Sequence, residues 1–262
     1  YSTAQLPASV VLAIFEDSKK RIWLGTYLHG LYLYDEGSDS FRSVKLHAGG
    51  KAVKDIYTIE ENADGTLWIG TNENGLCLYN HDTGKITSYT YDMMYSGNQI
   101  PSNSLHPILF GRDKQVWIGT SSAGISCFDQ KTGQFHDYNV ENGKLKNNNI
   151  YAVAQDKAGN IWVGTKGGLH YIDLKRDTTL LYTEADGLAN ASIAGIEIDG
   201  NGNLLCTLNG EAGEDFDEPI GQVQTEGLLE IAHWLEEHGF ISADVNDDEI
   251  VVCEGCGSDN IQ

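Results

Sequence analysis

The chain has 262 residues, 40% of them hydrophobic, with thirty Gly and thirteen Tyr but only four Pro. That length accommodates one β domain or two small ones, and the apolar fraction suffices for a buried core. The net charge of −21 is uneven: residues 211–262 hold 15 of the 38 Asp and Glu and none of the 17 Lys and Arg, leaving −6 for residues 1–210. Phosphate binding needs clustered Lys and Arg, so this balance argues against a nucleic-acid partner. No run approaches the roughly eighteen apolar residues of a membrane-spanning helix. The opening Tyr1-Ser2-Thr3-Ala4-Gln5 lacks the basic start and apolar run of a signal peptide.

In chain order the sequence repeats itself. Ile22-Trp23-Leu24-Gly25-Thr26 returns around Trp68-Ile69-Gly70-Thr71, Trp117-Ile118-Gly119-Thr120 and Trp162-Val163-Gly164-Thr165, and a worn copy, Leu204-Leu205-Cys206-Thr207, comes last. The Trp residues are 45, 49 and 45 positions apart, and Leu205 follows after 43. Twelve positions before each stand Val11, Ile56, Leu105, Ile150 and Ile193; nine before stand Ile14, Ile59, Ile108, Val153 and Ile196. A repeat of about 45 residues is the period of a four-stranded propeller blade.

Each copy reads as four strands. The first is apolar on both faces, as in Val10-Val11-Leu12-Ala13-Ile14-Phe15, and is expected to be innermost and buried on both sides. A tight turn such as Asp64-Gly65 leads to the Trp strand. The third strand follows the pattern Gly30-Leu31-Tyr32-Leu33-Tyr34-Asp35, and the fourth is more polar, as in Gln134-Phe135-His136-Asp137-Tyr138, so it suits the outer edge. Trp23, Trp68, Trp117 and Trp162 are large enough to fill the gap between blades. Gly25, Gly70, Gly119 and Gly164 let backbones approach. Cys77, Cys127 and Cys206 fall inside repeat strands as small core residues rather than a disulfide framework.

The fold expected is all-β: a partial β-propeller of four complete four-stranded blades plus part blades, with a small acidic α/β C-terminal segment. The blades lie near residues 10–47, 55–91, 104–140 and 149–184, with a part blade at 192–210. Tyr1 to Val11 matches Tyr182 to Ile193 with one residue missing, so the chain reads as a portion of a larger propeller. An open blade face would expose Trp and aliphatic surface, so self-association is expected. Residues 211–222 read as an acidic linker. Residues 223–262 read as a helix, a short strand and the half-motif Cys253-Glu254-Gly255-Cys256. Two thiolates at that spacing can grip zinc, but a structural site needs four ligands and the second pair is missing; His233 and His238 would have to complete it. No cofactor is therefore expected.

The recurring apolar strand, Asp (Asp17 and Asp156), Trp-x-Gly-Thr, Gly-Leu-x-x-Tyr-Asp and Phe-x-x-Tyr resembles the two-component regulator propeller repeat, over residues 1–210. The loop ends Ile100-Pro101-Ser102-Asn103-Ser104-Leu105 and Lys146-Asn147-Asn148-Asn149-Ile150 resemble that family's entry to the inner strand. Copies one and three depart from it, with Lys20 and Lys114 where a hairpin Gly is usual. The resemblance implies a periplasmic, non-catalytic sensor module of a bacterial hybrid regulator that recognises glycans or oligosaccharides. A histidine kinase would be expected elsewhere in a full-length regulator.

Candidate ligand residues lie in loops between the second and third strands and in loops entering the inner strands. They are Tyr27, His29, Asn72, Glu73, Tyr95, Asn98, Asn103 and Asn148, together with His106 at the second position of an inner strand. Aromatic faces pack against sugar rings while amides bond to hydroxyls. Asn and Ser in such places are also ordinary turn formers. Glu60, Glu61 and Glu197 raise the alternative of a lyase or hydrolase at a central channel, but no nucleophile is fixed near them and no catalytic motif appears. A second alternative is a protein-interaction scaffold.

Overall fold

The computed structural model describes residues 10–95, 97–200 and 202–208. The expectations for residues 211–262, including Cys253, Cys256, His233 and His238, and for residues 1–9, lie outside these. Among the described residues there is no α-helix, and two 3-10 turns, Arg112–Lys114 and Glu184–Asp186, are the helical content. Two compact units divide the chain: one runs to Gly143 and includes Asn148–Ile150, the other takes Lys144–Asn147 and the residues from Tyr151 onward.

The first unit holds three four-stranded sheets, each an antiparallel meander. Blade 1 is β1 (Val11–Glu16), β2 (Ile22–Thr26), β3 (Gly30–Asp35) and β4 (Ser40–Val44). A short hairpin, β5 (His47–Ala48) and β6 (Lys51–Ala52), leads on to blade 2. That blade is β7 (Ile56–Glu61), β8 (Leu67–Thr71), β9 (Leu76–Asn80) and β10 (Lys85–Tyr89). Blade 3 is β11 (Leu105–Phe110), β12 (Gln115–Thr120), β13 (Ile125–Asp129) and β14 (Gln134–Tyr138). In the second unit, apart from Ile150, blade 4 is β15 (Ile150–Gln155), β16 (Ile161–Thr165), β17 (Gly168–Asp173) and β18 (Thr178–Tyr182). The part blade that follows is a two-stranded sheet of β19 (Ile193–Ile198) and β20 (Leu204–Leu208).

The core lies between successive sheets. Trp23, Leu31 and Leu33 of blade 1 form one cluster with Ile56, Ile59, Leu67 and Ile69 of blade 2. Trp68 and Leu76 of blade 2 form the next with Leu105, Ile108, Val116 and Ile118 of blade 3. Trp23 and Trp68 therefore pack toward the following blade, and in the second unit Trp162 packs against the cluster of Ile193, Leu204 and Cys206. Each glycine two residues later is a point of contact: a Cβ on Gly25 would lie 2.5 Å from Ile56 Cγ2, and one on Gly164 would lie 2.8 Å from Ile193 Cγ2. The Thr that ends the motif is fully buried in all four copies and clasps the loop beyond it. Its hydroxyl donates to the carbonyl of Gly30, Gly75, Gly124 or Gly168 at 2.7–2.8 Å.

One expectation is corrected. The inner strand of blade 1 is not buried on both faces: Val11 and Ile14 are exposed, although Leu24 and Tyr32 in the next two strands of the same sheet are buried. Cys77, Cys127 and Cys206 are buried free thiols, as their place in the strands implies. Burial pushes the Cys77 and Cys127 thiols up to about 12, so both are inert at neutral pH.

Candidate functional site

The site grows from a defect repeated in the inner strands. Pairing of β1 with β2 slips between Val11 and Ala13, that of β7 with β8 between Ile56 and Thr58, and that of β11 with β12 between Leu105 and Ile108. The bulge falls at Leu12 in β1 and at Tyr57 in β7, and takes in His106 and Pro107 in β11, which re-aims the side chains there. In blades 2 and 3 the bulged residues are Tyr57 and His106. Their rings stack at 4.8 Å with an interplanar angle of 26°. Both are half-buried. Burial pushes the Tyr57 phenol up, and the charge of Asp55 and the phenol of Tyr27 add to the effect. Burial holds His106 below the ordinary imidazole value, so it is neutral at pH 7.

A belt of hydrogen bonds carries the loops around this pair. Asp55 Oδ1 accepts from Leu28 N at 2.6 Å and fixes Leu28 in the left-handed region, φ 66°. The Gly30 amide donates to Lys54 O, and His29 Nδ1 lies 2.9 Å from Tyr27 O. In blade 2, Asn72 N donates to Asp55 O, while Asn72 Oδ1 accepts from Ser104 Oγ at 2.9 Å. Ser121 N donates to Ser104 O. Leu28, Asp55, Asn72, Ser104 and Ser121 thus link three blades. Tyr27, His29 and Glu73 stay exposed on the loops the belt holds.

The other sequence candidates sit elsewhere on these loops. Asn103 Oδ1 accepts from Tyr91 N at 2.7 Å, and its amide donates to Tyr91 O at 3.1 Å. Asn98 donates to Gly133 O and accepts from Phe135 N, both at 2.7 Å, which straps the long loop after β10 to blade 3. Asn148 accepts from Val140 N at 2.9 Å and donates to the Glu141 carboxylate. These three amides hold loop backbone. Tyr95 lies at the exposed tip of the long loop with Tyr91, Met93 and Met94, while Ile100 behind them is fully buried.

The structure stacks His106 on Tyr57 and ties Asn72 and the Tyr27-Leu28-His29 loop to Asp55, so Asp55 and Tyr57 join the site although the sequence analysis did not name them as ligand groups. A signal for them existed. Val11 and Ile14, Ile56 and Ile59, and Leu105 and Ile108 are spaced by three, an odd spacing that no regular strand can keep on one face. The bulge that resolves it makes the second residue special. Among the described residues no group of three His, Cys, Asp or Glu is placed to hold a metal ion. No helix among them is long and apolar enough to cross a membrane.

Comparison with known proteins adds the following. The two component regulator propeller model matches residues 5–28, 50–73 and 144–167. These stretches contain the copies of Trp23, Trp68 and Trp162; the copy of Trp117, with Pro107 in its inner strand and a 3-10 turn in its hairpin, is outside them. No curated protein sequence matches the chain. Among solved structures, the extracellular domain of BT3049 from B. thetaiotaomicron, described as part of a hybrid two component system, is 22% identical with a TM-score of 0.69. The likeness covers 80% of this chain and 29% of that one. The extracellular domain of BT4673 from the same organism, described likewise, is 24% identical with a TM-score of 0.61, over 76% of this chain and 26% of that one. Virginiamycin B lyase from Staphylococcus aureus is 14% identical with a TM-score of 0.58, over 75% of this chain and 62% of that one. The chain thus spans under a third of the length of the first two. It shares the β-propeller fold with all three.

Proposed function

We propose that this chain, which carries two-component regulator propeller repeats, is part of the periplasmic sensor of a bacterial hybrid regulator and binds a glycan or oligosaccharide without transforming it. The repeat match and the likeness to two extracellular domains described with such systems support the sensor reading. The observation that carries the ligand reading is the stacked Tyr57–His106 pair, two residues along the chain from Asp55, whose carboxylate holds the loop that carries exposed Tyr27. Aromatic faces of this kind pack on the C–H face of a sugar ring. Hydroxyls of the sugar find acceptors in Asp55, whose Oδ2 has no intramolecular donor among the described contacts, and in the neutral imidazole of His106.

The same geometry favours binding over turnover. General acid–base chemistry needs a base within hydrogen-bond reach of a reacting proton and a group that orients it. Here the His106 ring is positioned by stacking, and Asp55 is engaged in holding the Leu28 loop. The lyase likeness is one of fold at 14% identity and brings no residue roles to this chain. The test is a thermal-shift panel of neutral and acidic oligosaccharides, each incubation then resolved by chromatography. At least one oligosaccharide is expected to raise the midpoint, since a ligand bound only to the native state stabilises by RT ln(1 + [L]/Kd). Recovery of that oligosaccharide intact is expected too. A cleaved product would replace this reading with the enzyme one.

A further inference from the structure

Residues 144–147, which belong to the second unit, form a strap tied to blade 4. Lys144 Nζ pairs with Asp177 Oδ2 at 2.6 Å and donates to the Asp177 carbonyl at 3.1 Å. Leu145 is 1% exposed. The Lys146 amide donates to Nε2 of His170 at 3.0 Å. Gly167 lies against Asn147, whose side-chain nitrogen would be 3.1 Å from a Cβ there. Blade 3 builds the same place without a histidine. His170 is paired with Val163, the residue after Trp162, and the residue so placed in blade 3 is Ser126, opposite Ile118. Ser126 Oγ turns to Asp137, donating at 2.6 Å. Where blade 4 has Lys146, blade 3 has Pro101, which carries no N–H to satisfy. Ile100, the counterpart of Leu145, is 0% exposed. The buried plug is common to both blades; the imidazole that holds the strap is particular to blade 4.

We infer that His170 is a pH-sensitive catch: neutral, it holds the Lys146 strap over Leu145, and protonated, it lets the strap go. A backbone amide only donates, so Nε2 offers its lone pair and the ring proton sits on Nδ1. A second proton has only Nε2 to bind, and there it would meet the Lys146 N–H. The hydrogen bond and the imidazolium therefore exclude each other. The ring is 1% exposed, with Val163 and Leu181 beside it on the adjoining strands, so the sheet brings no charge to offset an imidazolium. The strap brings Lys146, of the same sign, and Lys144, which is already paired with Asp177. Burial first, and then the Lys146 charge, hold the ring down to about 4, against an ordinary 6.5, and the Gly168 backbone offsets part of this. With the folded value below the unfolded one, the stability the neutral ring contributes is full above 6.5 and is lost as pH falls toward 4.

The experiment follows hydrogen exchange of residues 144–147 in the full chain by mass spectrometry, with β16 as a reference in the same unit and protection expressed against the intrinsic rate at each pH. From about pH 7 to about pH 5 the strap is expected to lose more than about tenfold in protection while β16 keeps its own. His170→Gln sets a non-titrating amide oxygen where Nε2 was, and strap protection in it is expected to stay level over that range. Asp177→Asn removes the ion pair alone and is expected to keep the parent's pH profile. A parent strap equally protected at both pH values would overturn the inference, as would a profile that survives His170→Gln or vanishes in Asp177→Asn. The parent chain also gives a check that needs no variant. Nitrogen NMR spectra of labelled histidine are expected to put the His170 proton on Nδ1 at neutral pH, and a proton found on Nε2 there would overturn the inference as well.

Discussion

Asp17 shows what the Asp of the repeat does. It is buried, and its carboxylate accepts from Trp23 Nε1 at 2.8 Å and from the Lys19 and Arg21 amides at 2.9 Å, with an ion pair to Arg21. Asp156 and Asp199 close their own hairpins the same way, onto Asn160 and Asn203. Where blades 2 and 3 have Asn62 and Gly111 instead, Trp68 Nε1 and Trp117 Nε1 are buried without a partner. Burial alone would raise the Asp17 carboxyl, but the hydrogen bonds from Trp23 and Arg21 outweigh it and hold it below its ordinary 3.8. A folded-state value below the unfolded one gives stability that is present above the unfolded value and lost as pH falls through the folded one. Acid unfolding followed by Trp fluorescence is therefore expected to show an Asp17→Asn variant losing less stability below pH 3.8 than the parent. Lys114 offers a second check. It sits exposed at φ 65°, where the hairpins of blades 2 and 4 have Gly65 and Gly159. Left-handed backbone costs a side-chain-bearing residue about 1–2 kcal/mol, partly offset by the greater unfolded-state freedom of glycine. Lys114→Gly is expected to raise stability by about 0.5–1 kcal/mol, and urea denaturation measures it.

The motif that repeats through the chain is scaffold at every position. Trp fills the space toward the next sheet, Gly admits the next inner strand, and Thr clasps the loop. Gly25→Ala would set a Cβ 2.5 Å from Ile56 Cγ2 and 2.9 Å from the Ile56 carbonyl, and is expected to destabilise by about 1–3 kcal/mol. Thr71→Val removes a buried hydroxyl that donates to Gly75 O and accepts from Asn74 N, leaving that carbonyl and amide short of a partner. A loss of about 1–3 kcal/mol follows, with the midpoint of urea unfolding as the readout. Strand order, hairpins and most core faces were legible in the sequence, because each blade states its period and its glycines again; the exposure of Val11 and Ile14 in β1 was not. The bulge was legible only as the three-residue spacing of Ile56 and Ile59, and its effect on Tyr57 was not. That effect depends on the neighbouring strand, which presents His106 at the stacking distance. Asn98, Asn103 and Asn148 mark the other limit. Their residue type fits both a sugar contact and a loop latch, and the backbone groups that engage them come from Gly133, Tyr91 and Val140, which no local pattern names.

At the scale of the molecule, structure and function separate along the blades. What is constant from copy to copy builds the stack; what differs, Tyr27-Leu28-His29 against Asn72-Glu73-Asn74 and Tyr57 against His106, lies on the loops and at the bulges. The likeness in fold to both extracellular domains and a lyase follows from the constant part. On the proposed function the variable part is what meets the ligand, and here it offers two stacked rings, an exposed tyrosine and a carboxylate. The central claim is that this cluster is the ligand site. Isothermal titration of the oligosaccharide that gives the largest thermal shift, into the parent chain and into Tyr57→Ala, tests it most directly. Losing the ring is expected to weaken binding by about 1–3 kcal/mol, roughly tenfold to more than a hundredfold in Kd, with the midpoint of unfolding little changed. Unaltered affinity in a folded Tyr57→Ala chain would contradict the claim and move the site elsewhere on the molecule.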